Sequence, residues 1–170
     1  MNWGSNSALV IRKPGNEQDR DCAGTIYSIG GCHRGEREVG VRVVRLGSPR
    51  VQGEGMRIGT VRRPPRGVPK TEFASQNWYD VWFPNLAPSP ATMKLGQTAN
   101  TPAQWATFTK KYRAEMATPD NSHAIELLAA LSHQSNFSVG CYCENEAYCH
   151  RSVLHELLVE KGAKLEVSPP

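Results

Sequence analysis

Residues 137–163, FSVGCYCENEAYCHRSVLHELLVEKGA, decide the fold. The opening FSVGCYC reads as a strand of alternating or fully buried type, because it is short, contains aromatic and β-branched residues and precedes a polar loop. Val153, Leu154, Leu157 and Leu158 then recur at the spacing of a helix's inner stripe. Gly162 stands where a left-handed cap ends such a helix, and residues 164–167 follow as a short edge strand. Strand, loop, helix and strand in succession build a sheet with helices layered on it.

Upstream, the helical signal continues. Thr101 is an N-cap with Pro102 in the first helical position, and Trp105, Phe108, Tyr112 and Met116 follow at three- and four-residue steps as a core stripe. A second helix is expected over residues 122–132, with Ile125, Leu127, Leu128 and Leu131 as its apolar positions. Before these lie strands: VRVVRL at 41–46, MRIGTV at 56–61 and YDVWF at 79–83, with Trp82 packing in the core. Residues 62–70, RRPPRGVPK, form a basic loop, since Pro64, Pro65 and Pro69 remove backbone donors and Gly67 frees the chain. A helical turn follows at 71–75, and the Pro84 and Pro88 segment after the third strand is a loop. The expected fold is a compact α/β domain over residues 41–170, a small mixed or parallel sheet flanked by helices with Rossmann-like layering. Residues 1–40 are glycine-rich, with one strand-like stretch at 24–31, and read as an N-terminal arm.

Composition narrows the classes. A hydrophobic fraction of 39% and a charged fraction of 21% belong to a soluble chain, and no apolar run is long enough to span a membrane. The start has no basic leader and no continuous apolar segment, so the expected compartment is the cytoplasm. There an odd count of five cysteines points to a metal or reactive site rather than a disulfide frame. The net charge of +4 is concentrated: residues 41–70 hold eight basic groups against Glu54 alone. That excess favours an anionic partner, a small phosphorylated or carboxylated ligand or a nucleic-acid backbone.

Two loops leave the carboxyl ends of expected strands, where ligands collect in open α/β sheets. In the later one, Cys149, His150 and Arg151 stand at a helix entrance, whose free amides favour an anion and a thiolate. Cys149 is a candidate nucleophile, His150 a candidate acid or base, Glu144 a candidate base or arginine partner, and Arg151 an anion clamp. The alternative is an Arg151–Glu144 pair that braces the loop. Cys141, Cys143, Cys149 and His150 are the ligands if zinc is bound, but C-x-C-x5-C-H departs from the common paired spacings. Cys141 alternatively serves as a core hydrophobe, with Cys143 packed beneath the loop. Seven residues separate Cys143 from Arg151, which disfavours a C-x5-R phosphatase loop. In the earlier loop, Arg62, Arg63 and Arg66 are candidate anion-binding residues, held at low entropic cost by the prolines. Trp78, Tyr79 and Trp82 offer faces for bases if the partner is a nucleic acid.

RIGTVRRPPRGVPKTEF at 57–73, YDVWFPNLAPS at 79–89, the W-x-x-F-x-K-K-Y-R-A-E-M helix at 105–116 and CYCENEAYCHRSVLHELLVEKGA at 141–163 together resemble the domain-of-unknown-function 488 family. The first three segments are most similar to its YeaO-like branch, with an R-G-x-x-K loop and an L-A-P-S turn, and the C-x-E and C-H-R elements to the wider family. The resemblance spans roughly residues 41–167 in four ordered motifs. It implies a compact α/β domain and carries no particular reaction. The functional expectation is therefore a small enzyme or ligand-binding domain for a phosphorylated or nucleotide-like compound. Its alternatives are a nucleic-acid-binding accessory protein and a zinc-stabilised interaction domain without catalysis.

Overall fold

The computed structural model describes residues 39–166. The strand-like stretch at 24–31, Cys22 and Cys32 lie outside them, as does the expected arm apart from Val39 and Gly40.

Four strands form one parallel sheet: Val41–Arg45 (β1), Met56–Gly59 (β2), Val81–Trp82 (β3) and Phe137–Cys141 (β4), in the order β1-β4-β2-β3. The last strand in sequence lies between the first two, with Phe137 in register with both Val41 and Met56, and Val139 with both Val43 and Ile58. β4 is buried along its whole length, as a central parallel strand must be. Of the closing edge strand expected at 164–167, a single bridge from Val41 to Leu165 forms.

Three helices fill the connection from β3 to β4: Pro90–Gln97 (α1), Pro102–Met116 (α2) and Pro119–Leu131 (α3). A fourth, His150–Glu160 (α4), follows β4. The capping box of α2 is complete, since Thr101 accepts from the Gln104 amide and the Gln104 side chain accepts from the Thr101 amide. α4 ends as expected: Gly162 has a φ of 81°, its amide donates to Val159, and Ala163 donates back to Leu158. Phe108, Tyr112 and Leu154 pack with Ile58, Phe137 and Val139 into the main core.

The opposite side of the sheet holds a buried polar tie. Arg57 is fully buried and forks onto Glu54, with Nε to Oε1 at 2.7 Å and Nη2 to Oε2 at 2.8 Å. It also donates to the carbonyls of Ser48 and Asn77, and Ser138 donates to Glu54. Alternation along β2 explains the arrangement: Ile58 faces the main core and Arg57 turns away from it. Next along the strand, a Cβ at Gly59 would stand 2.4 Å from the Tyr79 ring, so only glycine lets that residue lie against the sheet.

Several sequence expectations are corrected. α1 occupies part of what reads as loop, and α3 begins at Pro119, three residues before the expected start. Leu127 is 69% exposed, because α3 turns it away from α4. The third strand shortens to two residues on the sheet edge, and Trp82 stands 46% exposed there with its indole donating to the Val61 carbonyl. It does not pack in the core. β4 stops at Cys141, so Cys143 belongs to the loop and its orientation is not set by strand alternation.

Candidate functional site

Because all strands run the same way, the segments leaving β1, β2 and β4 emerge at one end of the sheet. They enclose a cleft of about 1280 Å³. From β1 comes Arg45; from β2 come Arg62, Arg63 and Arg66; from β4 come Cys141 and Cys143. α1 and α2 close the side, and Cys149 and His150 at the start of α4 complete the lining. Beneath it lies a second apolar cluster that includes Leu46, Val61, Tyr79, Cys141 and Cys149.

Among the described residues the lining holds four arginines and no carboxylate. The arginines are not equivalent. Arg62 is half-buried and donates to the carbonyls of Ala87 and Pro88, which fastens the segment before α1 to the end of β2. Arg63 and Arg66 are exposed. Arg45, absent from the sequence expectations, pairs with Glu144 at 2.9 Å; its position at the carboxyl end of a strand was the legible signal. Glu144 itself is 82% exposed at its side chain and lies outside the lining. Trp78, Trp105 and Tyr148 add aromatic surface to the walls, with Trp105 and Tyr148 in edge contact at 5.3 Å.

The three clustered cysteines meet. All three Sγ atoms lie within 4.8 Å of one another, and Cys141 and Cys143 are 3.6 Å apart, so the group can hold a metal ion. Cys143 is exposed, while Cys141 and Cys149 are buried. Cys149 is the N-cap of α4, but its thiol makes no cap bond and turns to the other sulfurs. Its hydrogen bonds with Cys141 and Cys143 and its burial push its pKa up. The hydrogen bond to Cys143 likewise raises Cys141, to about 11. Those same bonds from Cys141 and Cys149 hold Cys143 far below an ordinary thiol, against its partial burial. Within this hydrogen-bonded group the shifts favour the ionised form at Cys143 and the protonated form at its two neighbours. Cys143 is the exposed sulfur of the three, while Cys149, the candidate nucleophile from sequence, is 2% exposed.

His150 is the first residue of α4, its ring in edge contact with Tyr112 at 5.7 Å. Burial pushes its pKa down. Its Nε2 lies 2.8 Å from the Thr60 carbonyl and therefore carries the proton, which leaves Nδ1 an acceptor 3.9 Å from the Cys149 Sγ. Arg151 is 3% exposed and lies outside the lining. Its Nη1 and Nη2 donate over 3.5 and 3.3 Å to the carbonyls of Cys141 and Glu144, and Glu146 is its carboxylate partner at 3.6 Å. The bracing of the loop therefore runs through the Glu144 backbone rather than its side chain. Arg113 and Glu115 of α2 also turn elsewhere, to Glu156 and Glu160 and to Ser89 and Thr92.

The family model described as "Active DUF488-N3 subclade" matches residues 41–162. No curated protein and no solved structure matches the chain. Among the described residues no helix is long and apolar enough to cross a membrane.

Proposed function

The chain belongs to the DUF488 family, and from the geometry that its subclade match encloses we propose that the cleft binds a phosphorylated, nucleotide-like compound and acts on it at the thiol and histidine end. One observation carries this reading: among the described residues the lining has four arginines and no carboxylate. Exposed guanidinium groups in a cleft with apolar walls attract anions. Arg63 and Arg66 are the free clamps for phosphate, and Arg62 positions the wall. Trp78, Trp105 and Tyr148 offer faces on which a base stacks. The reacting end of the ligand then lies over Cys143, with the acceptor Nδ1 of His150 beside it. For a metal held by the three sulfurs, ligand chemistry favours zinc.

The test is thermal stabilisation by nucleoside mono- and diphosphates and by inorganic phosphate, in the full chain and in an Arg63→Ala, Arg66→Ala variant. A rise in Tm with one nucleotide, lost in the variant without loss of its basal Tm, supports the reading. No rise with any of them overturns it. A steeply salt-dependent affinity for single-stranded oligonucleotides, with no response to mononucleotides, transfers the arginines and Trp78 to a nucleic-acid partner instead.

A further inference from the structure

We propose that Cys141, Cys143 and Cys149 form an open three-thiolate zinc site whose fourth coordination position faces the cleft, where water or an oxygen of the anionic ligand fills it and His150 does not. Only the identity of the fourth ligand rests on the cleft reading above.

Three arguments support it. The first is size. With zinc–sulfur bonds of about 2.3 Å, tetrahedral geometry sets sulfurs about 3.8 Å apart. Cys141 and Cys143 stand at 3.6 Å, and all three sulfurs fall within 4.8 Å of each other. A Cys-x-Cys pair at a strand's end and a third thiol at a helix's start, approaching from different elements, make a cup rather than a line.

The second argument concerns the histidine. His150 is adjacent to Cys149 and would complete a closed Cys3His site, the ligand set that the spacing alone implies. Its Nε2–H donates to the Thr60 carbonyl at 2.8 Å, and its acceptor Nδ1, 3.9 Å from the Cys149 Sγ, stays outside the group of ligand atoms that are all mutually close. No carboxylate among the described residues joins it either. All three thiols nevertheless line the cleft, with Cys143 exposed. A three-ligand set that opens on a cleft is the arrangement of a zinc site that takes an exogenous ligand, whereas structural sites close with a fourth protein ligand.

The third argument is charge. Three thiolates around Zn²⁺ leave one net negative charge, which a buried site must offset. Arg151 is 3% exposed, its Nε has no hydrogen-bond partner among the described residues, its other donors reach the carbonyls of Cys141 and Glu144 only at 3.5 and 3.3 Å, and the exposed Glu146 carboxylate stands 3.6 Å away. A buried guanidinium short of acceptors is costly by itself. Set against the chain segment that carries Cys141 and Cys143, it supplies the countercharge that a three-thiolate centre needs.

The experiment uses the full chain, purified without chelator, with metal measured by elemental mass spectrometry and the coordination shell by X-ray absorption. About one zinc per chain, three sulfurs and one oxygen are expected. No bound zinc overturns the site, and a shell of three sulfurs and one imidazole nitrogen overturns its openness. His150→Ala should retain zinc; because that ring is buried, the absorption spectrum of the unaltered protein decides the question if the variant does not fold. Cys143→Ser should lose zinc. In the cobalt-substituted protein, the ligand-field bands should shift when inorganic phosphate or the stabilising nucleotide is added, and unchanged bands overturn the fourth-ligand assignment. Thermal stabilisation by nucleotide that depends on Arg63 and Arg66 is read separately. A chain without zinc can retain it, and a zinc-loaded chain can lack it, so each reading can fail alone.

Discussion

The Nε2–H of His150 donates to the carbonyl oxygen of Thr60 at 2.8 Å and joins the first residue of α4 to the segment leaving β2. Together with the bond from the Tyr142 hydroxyl to the Arg63 carbonyl at 3.3 Å, it ties the two chemically rich loops to each other, and the tautomer that it selects leaves Nδ1 an acceptor near the Cys149 thiol. His150→Ala should destabilise the domain by about 2–4 kcal/mol, from the cavity beside Tyr112 and the unpaired Thr60 carbonyl. His150→Phe, which retains a ring but no donor, should lose about 1–3 kcal/mol. Urea unfolding of both variants checks the order.

Arg62 and its neighbours separate structure from binding. Arg62→Ala removes three hydrogen bonds to the carbonyls of Ala87 and Pro88 and should lower stability by about 1–3 kcal/mol. The exposed Arg63 and Arg66 should change stability by no more than about 0.5 kcal/mol when replaced by alanine. Chemical denaturation of the three single variants tests this, and equal losses at all three positions would contradict the division.

Arg57 and Glu54 form the most deeply buried ion pair among the described residues. Glu54→Gln should destabilise by about 3–5 kcal/mol, since it leaves the guanidinium buried against a neutral partner. Arg57→Met in combination with Glu54→Gln should recover part of that loss. A double-mutant cycle reads the coupling directly.

Glu115 supplies a pH-dependent clamp on α1. Burial pushes its carboxyl pKa up, but hydrogen bonds from Ser89 and Thr92 and the charge of Arg62 outweigh this and hold it below its ordinary 4.5. The unfolded chain therefore takes up the proton first on acidification. The stabilisation is present above about pH 4.5 and is lost as pH falls through the folded value. Glu115→Gln should be less stable than the unaltered protein near pH 7, with the gap closing as pH falls below 4.5. A constant gap across that range, followed by denaturant titration, would count against the clamp.

What the sequence revealed depended on whether the signal was local. α2 and the end of α4 were legible because capping residues and apolar steps agree at Thr101, Pro102, Phe108 and Tyr112, and at Leu158 and Gly162. α1 was not, since Thr92 is its sole buried residue and the helix is held by distant partners, Glu115 and Arg62. Leu127 misled because helical spacing cannot say which neighbour a face meets. At the cleft, residue types and spacing found the thiols and the arginines. They could not separate Arg62, with its carbonyl partners 25 and 26 residues away, from Arg63. Nor could they separate the buried Cys149 from the exposed Cys143, because that distinction arises only when three sulfurs from two elements meet.

The insertion of β4 between β1 and β2 also governs how the chain comes together during synthesis. β1 and β2 are complete by Gly59, yet neither has its principal neighbour until Phe137–Cys141 has emerged from the ribosome. Until then two apolar strand edges wait open, and the thiols and arginines of the cleft have no common wall. Contacts of such long sequence separation form slowly and cooperatively. Nascent chains arrested before β4 should therefore remain protease-sensitive throughout, while chains released beyond α4 should acquire the sheet and the cleft in a single step.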